Sequence, residues 1–264
     1  AQMLRGLWSD LYAKQVKAGA FRVCPLRPNN MGDLERAFRT MDKGAFKIAA
    51  FFHEIVMMNY GGILLKPSFL RRAYQLCRQH DVPVCVDEIQ SCAWSPSIYL
   101  FREYGLKPSM LALGKGMPAG EYPASRILFS SALDTLPQFG ALVTNGQEEI
   151  AALAYLITMR WIQENAGQIS EIGEYYESEL RRLARTYSSK ITGIEGRRHL
   201  GAIRFGALEP AKAFAAALNK AGLDISVQTY KTSIPPAALT KLPITAGREF
   251  ADKVIAMMEK ALQS

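Results

Sequence analysis

The sequence VPVCVDEIQS at residues 82–91 places a short apolar run directly before two acidic residues. A helical pattern over residues 67–80 precedes it, with Pro67 in the first turn, where a missing N–H costs little. Residues 46–56 form a predicted buried strand before that helix. Strand, helix and strand in this order predict a right-handed crossover between parallel strands. The pattern therefore predicts an α/β fold with Asp87 at the end of a buried strand.

A reactive lysine follows the next predicted strand, at residues 110–113. Lys115 comes directly after this strand and stands between two glycines. In open α/β sheets, ligands bind beyond the carboxyl ends of the strands. Glu54, Asp87 and Lys115 all lie at or near such ends. We expect these three ionisable groups to form a site at one edge of the sheet.

The rest of the chain predicts a second, smaller α/β unit. One further strand, at residues 127–130, belongs to the first half, and a long helical stretch with a break near residues 165–167 then covers residues 147–187. The later elements are strands at residues 191–194, 200–205 and 223–228 and helices at residues 210–221 and 245–262. We predict a first domain at residues 1–160 and a second domain at residues 161–264.

Composition narrows the class of protein. With 49% hydrophobic and 21% charged residues the chain is globular, and its net charge of +8 is scattered, so we expect no nucleic-acid partner. The three histidines lack metal-ligand spacing, so no metal site is predicted. No apolar run is long enough to span a bilayer, so we expect no membrane partner. Four cysteines without C-x-x-C spacing favour free thiols and a cytoplasmic location.

Several ordered blocks resemble the class III aminotransferase family of fold-type I enzymes that use pyridoxal 5'-phosphate (PLP). DEIQS at residues 87–91 is similar to the family's Asp-Glu-Val-Gln-Thr/Ser block, and LGKG at residues 113–116 is similar to its Schiff-base segment. The resemblance implies a partial large domain with a mainly parallel sheet, plus a small C-terminal α/β domain. Because only the later part of the family's large domain is matched, we expect the C-terminal portion of a longer chain.

The resemblance also implies a role for each matching residue. Lys115 would hold PLP as a Schiff base, and Asp87 would pair with the ring nitrogen. Ile89 would pack on one ring face, and Gln90 would reach the ring hydroxyl. Thr144 would bind the cofactor phosphate across the interface of a homodimer.

The chain departs from the family around the substrate. Glu54 falls at the position of a family glutamate in the substrate site, but Ile55 replaces the proline that follows it. Thr232 stands where the family has a carboxylate-binding arginine, and a hydroxyl cannot supply a guanidinium's planar fork. Lys231 and Lys241 are both candidates to replace that arginine, and the sequence assigns neither.

Three functional hypotheses remain open. The leading one is a PLP-dependent aminotransferase that moves an amino group from an amino acid or amine to a 2-oxo acid through Lys115. A PLP-dependent racemase, aminomutase or decarboxylase on the same scaffold would share the same residues. The third is a catalytically silent fragment that acts as a binding module. Two absences support it: the missing arginine, and the helix start that cradles the phosphate in the family, which has no counterpart here, so this chain alone should hold PLP poorly. The presence of both Lys115 and Asp87 argues against it, because no structural role requires both.

Overall fold

The computed structural model of the chain contains two four-stranded sheets, each packed with its own helices. The residues that the structure describes are 10–43, 47–122, 124–140, 148–228 and 234–263. The strands are β1 (Phe51–His53), β2 (Val56–Met57), β3 (Ile63–Leu64), β4 (Val84–Asp87), β5 (Met110–Leu113), β6 (Arg126–Phe129), β7 (Ile191–Arg197), β8 (Leu200–Phe205), β9 (Ser226–Val227) and β10 (Ala237–Lys241). The helices are α1 (Asp10–Lys17), α2 (Met31–Met41), α3 (Pro67–Gln79), α4 (Leu100–Glu103), α5 (Glu149–Glu164), α6 (Ala166–Thr186), α7 (Leu208–Lys220) and α8 (Arg248–Gln263).

The first sheet has the strand order β1-β4-β5-β6. β1, β4 and β5 run parallel, and β6 is antiparallel to β5. The predicted α/β class with a mainly parallel sheet is confirmed. The crossover from β1 to β4 contains α3, which begins at Pro67 as predicted and buries an apolar face that includes Phe69, Leu70 and Ala73. That face shares one core with Val84 and Val86 of β4.

One strand prediction was wrong in its extent. Among the described part of residues 46–56, only Phe51–His53 form a strand of this sheet, and the chain then turns into the β2–β3 hairpin. Gly61 and Gly62 make this turn with φ angles of 69° and 68°, which residues other than glycine rarely adopt. A Cβ on Gly62 would lie 2.6 Å from the Cβ of Ala202, so the hairpin packs closely against the second unit.

The second sheet is antiparallel throughout, in the order β7-β8-β10-β9. Its hydrophobic core lies between the sheet and α6, α7 and α8, and it is a separate cluster from the core of the first unit. β8 occupies its predicted residues, and β9 is shorter than its predicted strand. β10 was not predicted, because the prolines and alanines of residues 234–238 lack the β-branched pattern typical of a strand.

No helix among the described residues combines the length and the apolar character that a membrane crossing needs.

Candidate active site

Asp87 and Lys115 lie at the same edge of the first sheet. Asp87 is the last residue of β4 and is paired in register with Ala112 of the parallel strand β5. Lys115 follows the end of β5, in a turn between Gly114 and Gly116. Its backbone φ of 45° lies in the left-handed region, which is uncommon for residues other than glycine. The structure thus brings the two residues to neighbouring strand ends.

The carboxylate of Asp87 is only partly engaged by the protein. One oxygen, Oδ1, accepts a hydrogen bond from the backbone N–H of Ile89 at 3.0 Å. Among the described residues, the carboxylate has no other hydrogen-bond or ion-pair partner. The remaining oxygen is therefore available to accept from an N–H of a ligand.

The neighbouring Glu88 serves the fold instead of the site. It is fully buried, and its carboxylate accepts from the backbone N–H groups of Leu100 and Phe101 at 2.8 and 2.6 Å. These donors begin α4, where a negative charge is favourable. Burial raises the pKa of Glu88 to about 7, although these hydrogen bonds oppose the shift. The contact fixes the segment that follows β4, and with it the position of Asp87.

Glu54 belongs to the same electrostatic cluster. It follows β1 directly and is half-buried. Burial, together with the negative charge of Asp87, raises the pKa of Glu54 to about 7, and the positive charge of Lys115 opposes this shift. The three residues predicted to meet at the sheet edge thus influence one another.

A cleft of about 370 Å³ opens in front of this edge and reaches the second unit. It is lined by Met58, Asn59, Gln90 and Lys115 from the first unit and by Asp224, Ile225, Ser226, Leu239 and Lys241 from the second. The amine of Lys115 has no hydrogen-bond or ion-pair partner among the described residues. Gln90 and Lys115, predicted from separate motifs, therefore share one cavity.

Gln90 is oriented by Lys241 across the two units. The Lys241 ammonium donates to Oε1 of Gln90 at 2.6 Å. An ammonium can only donate, so the amide oxygen faces Lys241 and the NH₂ group of Gln90 remains a donor for a ligand. Burial of the amine and the charge of Lys115 lower the pKa of Lys241.

Some predicted residues lie elsewhere. Glu54, Asp87 and Ile89 are half-buried and do not line the cleft, and Thr144, Lys231 and Thr232 are outside the described residues. Sequence reasoning did not find Asp224 or Ser226, because no local motif connects these residues of the second unit with the strand ends of the first. Within the ranges that the structure describes, no group of three His, Cys, Asp or Glu side chains could hold a metal ion.

This combination of a crossover sheet and a small second unit is the fold of type I PLP-dependent aminotransferases. The crystal structure of the ornithine aminotransferase from Toxoplasma gondii ME49 matches it with a TM-score of 0.79, at 22% identity, over 90% of this chain and 55% of that chain. At the sequence level, residues 13–262 match the family model described as Aminotransferase class-III. The chain belongs to this family.

Sequence relatives include enzymes of two kinds. The chain is 24% identical to the mitochondrial ornithine aminotransferase of Arabidopsis thaliana over 250 residues, which cover 88% of this chain and 52% of that protein. It is 27% identical over 146 residues to the glutamate-1-semialdehyde 2,1-aminomutase of Cytophaga hutchinsonii, covering 54% of this chain and 34% of that protein. The chain thus spans about half the length of its relatives, or less.

Proposed function

We propose that the protein is a PLP-dependent aminotransferase that moves an amino group from an amino acid or amine to a 2-oxo acid. The observation that carries this proposal is the position of Asp87 and Lys115 at the ends of the parallel strands β4 and β5. Membership in the class III aminotransferase family supports the reaction class. Because the chain spans only part of its relatives, the activity is proposed for the whole protein.

The described residues fit the ring of PLP. Lys115 offers an amine without a partner among those residues, Asp87 keeps an acceptor oxygen, and Gln90 keeps an NH₂ donor. The cleft of about 370 Å³ also lies within the range of roughly 300 to 1,000 Å³ that is usual for small-molecule sites. For the phosphate, we propose Thr144, which lies outside the described residues.

Each residue would contribute one step of the chemistry. Bound PLP supplies an electron sink for the negative charge that develops at a substrate carbon. Lys115 would hold the cofactor covalently through Nζ, and as a free amine its Nζ would accept the proton from that carbon. Asp87 would keep the ring nitrogen protonated by accepting its N–H. Gln90 would donate to the ring hydroxyl, and Ile89 would limit the ring's position from one side.

Glu54 would act on the substrate side of the site. With a pKa of about 7, a large share of its carboxyl groups is protonated at neutral pH. A neutral Glu54 would let a substrate carboxylate approach without repulsion between like charges. We therefore keep Glu54 as a substrate-binding residue.

The names of the relatives suggest which substrates to test first. Ornithine aminotransferases recur among them, so amino acids with a terminal second amine are the first donors to test, with a 2-oxo acid as acceptor. Because one relative is an aminomutase, an aminomutase reaction is the second candidate. An aminotransferase requires the 2-oxo acid for turnover, whereas an aminomutase forms its product without one. Absence of any PLP absorbance would favour the silent binding module instead.

We also propose that the protein forms a homodimer. Ile150, Leu153, Leu156 and Ile157 recur along one side of α5, and each is between 45% and 58% exposed. Large apolar side chains in such a stripe are typical of a protein–protein interface. Thr144 precedes α5 closely in sequence, which is consistent with its proposed role across that interface. We further propose a cytoplasmic location, because the four cysteines are free thiols.

A further inference from the structure

Lys241 is a cation without an anionic partner at the candidate active site. Its ammonium donates to Gln90 Oε1 and lies 5.9 Å from the ring centroid of Trp94. Both of these partners are neutral. Among the described residues it forms no ion pair. An ammonium has three donors, so two of them remain unused.

Three arginines in or beside the second sheet have carboxylate partners. Arg197 and Arg198 pair with Glu103, and Arg204 pairs with Glu195. The only carboxylate that lines the described part of the cleft, that of Asp224, makes no ion pair with Lys241. The exposed ammonium of Lys241 is thus not neutralised by a carboxylate of the described residues.

The direction of Lys241 follows from its strand. In β10, alternate side chains point to opposite faces. Ala238 and Thr240 are buried, and Thr240 contacts Tyr176 in the core of the second unit. Leu239 and Lys241 take the other face and line the cleft with Lys115. The register of β10 therefore places Lys241 on the face that lines the cleft with Lys115.

We propose that Lys241 binds the carboxylate of the amino-acid or 2-oxo-acid substrate. This inference rests on the proposed aminotransferase function, because it needs a substrate that reacts at Lys115 and carries a carboxylate. Two free donors on Nζ suit a carboxylate, and the neighbouring Trp94 and Gln90 limit where the ammonium can move. Lys241 is thus a specificity-determining residue supplied by the second unit.

The test compares pentanoate with pentanamide as probes of the PLP-loaded protein. Both lack a reactive amine or a ketone, and only pentanoate carries a charge. Their dissociation constants are measured by calorimetry for the wild type and for Lys241→Met, Lys241→Arg and Lys220→Met. Lys220 is an exposed lysine at the end of α7 that does not line the cleft, and it serves as the matched control.

We expect Lys241→Met to weaken pentanoate binding by at least about tenfold and to leave pentanamide unchanged, as for loss of a hydrogen bond to a charged group. Lys241→Arg should restore binding to within about threefold, since it keeps the charge. Lys220→Met should match the wild type. In turnover, Lys241→Met should raise KM for the 2-oxo acid more than it lowers kcat.

Equal pentanoate affinity in the wild type and in Lys241→Met would overturn the inference. The same holds if both probes weaken equally, since that indicates a structural role through Gln90. Retained PLP absorbance shows that each variant is folded at the site. If the wild type transaminates but pentanoate binding shows either of these two outcomes, the role of Lys241 is disproved and the proposed aminotransferase function stands. If the wild type neither absorbs nor transaminates, the proposed function fails first.

Discussion

Arg198 connects the two units of the chain through Glu103. Its Nη1 lies 2.5 and 2.6 Å from the two carboxylate oxygens of Glu103, and both side chains are largely buried. Glu103 belongs to α4 of the first unit, whereas Arg198 lies in the turn between β7 and β8 of the second. The cleft is formed by both units, so this pair helps to hold its two walls together.

Removing Arg198 should therefore destabilise the fold. Arg198→Met leaves the largely buried Glu103 with Arg197, at 3.9 Å, as its remaining cationic partner, and we expect the free energy of unfolding to fall by roughly 2 to 4 kcal/mol. Urea denaturation measures this change. As a control, Arg182→Met removes more exposed pairs with Glu179 and Glu259 and should cost less than about 1 kcal/mol. Equal losses in the two variants would contradict this role of Arg198.

Two glycines of α6 should respond in opposite directions to alanine. A Cβ at Gly173 would lie 2.8 Å from Arg198 Cβ and 2.8 Å from His199 Cδ2, so Gly173→Ala should lower stability by roughly 1 to 3 kcal/mol. A Cβ at Gly167 meets nothing within 4 Å, so Gly167→Ala should raise stability by about 0.5 to 1 kcal/mol. Thermal unfolding of both variants provides the measurement. A stabilising Gly173→Ala would show that α6 packs against Arg198 and His199 more loosely than these distances indicate.

Glu54 should make stability depend on pH. Its pKa of about 7 in the folded protein exceeds its ordinary value of 4.5. A raised pKa means that the stabilising contribution is fully present below about pH 4.5 and is lost as the pH rises through about 7. Glu54→Gln should therefore gain up to roughly 3 kcal/mol relative to the wild type between these limits. Urea titrations at several pH values test this, and a constant difference between the two proteins would refute it.

Asp87→Asn should separate cofactor binding from catalysis. The amide lacks the charge that keeps the ring nitrogen protonated, so we expect kcat to fall by about 100-fold or more while PLP remains bound. The control is Asp81→Asn, which changes an exposed aspartate before β4. Absorbance measures bound PLP, and single-turnover kinetics measure the rate. Asp87→Asn with the wild-type rate would remove Asp87 from the mechanism.

The apolar stripe of α5 predicts a change in assembly. Ile157→Asp places a charge at a position that is 58% exposed, so it should leave the monomer fold intact and weaken a homodimer by at least about tenfold. Sedimentation measures the dimer dissociation constant. Arg160→Asp, on the same helix and also exposed, controls for charge alone. An unchanged dissociation constant in Ile157→Asp would place the interface elsewhere.

Much of the first unit could be predicted from local sequence. The apolar run of β4 ends directly before Asp87, and that of β5 ends at Leu113, two residues before Lys115. Parallel strands bring such ends together, so the site edge followed from a general rule. The end of β1 could not be predicted, because apolar residues resume after His53 and Glu54 and continue into the β2–β3 hairpin, and apolarity alone does not mark a turn. The boundary between domains at residue 160 stays a prediction.

The second unit's share of the site could not be predicted in the same way. Lys241 reaches Gln90 only because β10 pairs with β8 and β9 and presents alternate residues to the cleft. That register depends on tertiary packing, and the strand itself lacks a strong sequence pattern. The sequence identifies Lys241 as a candidate to replace the carboxylate-binding arginine, but only the structure shows that it lines the cleft.

The absorbance of the purified protein shows whether Lys115 holds PLP, as the pairing of Lys115 with Asp87 at the sheet edge predicts. The wild type should bind PLP with a near-visible absorbance band that borohydride bleaches, and mass spectrometry should locate the reduced adduct on Lys115. Lys115→Ala should lose both the band and transamination. An absorbance band with normal turnover in Lys115→Ala, or a reduced adduct on another lysine, would show that Lys115 is not the residue that holds PLP.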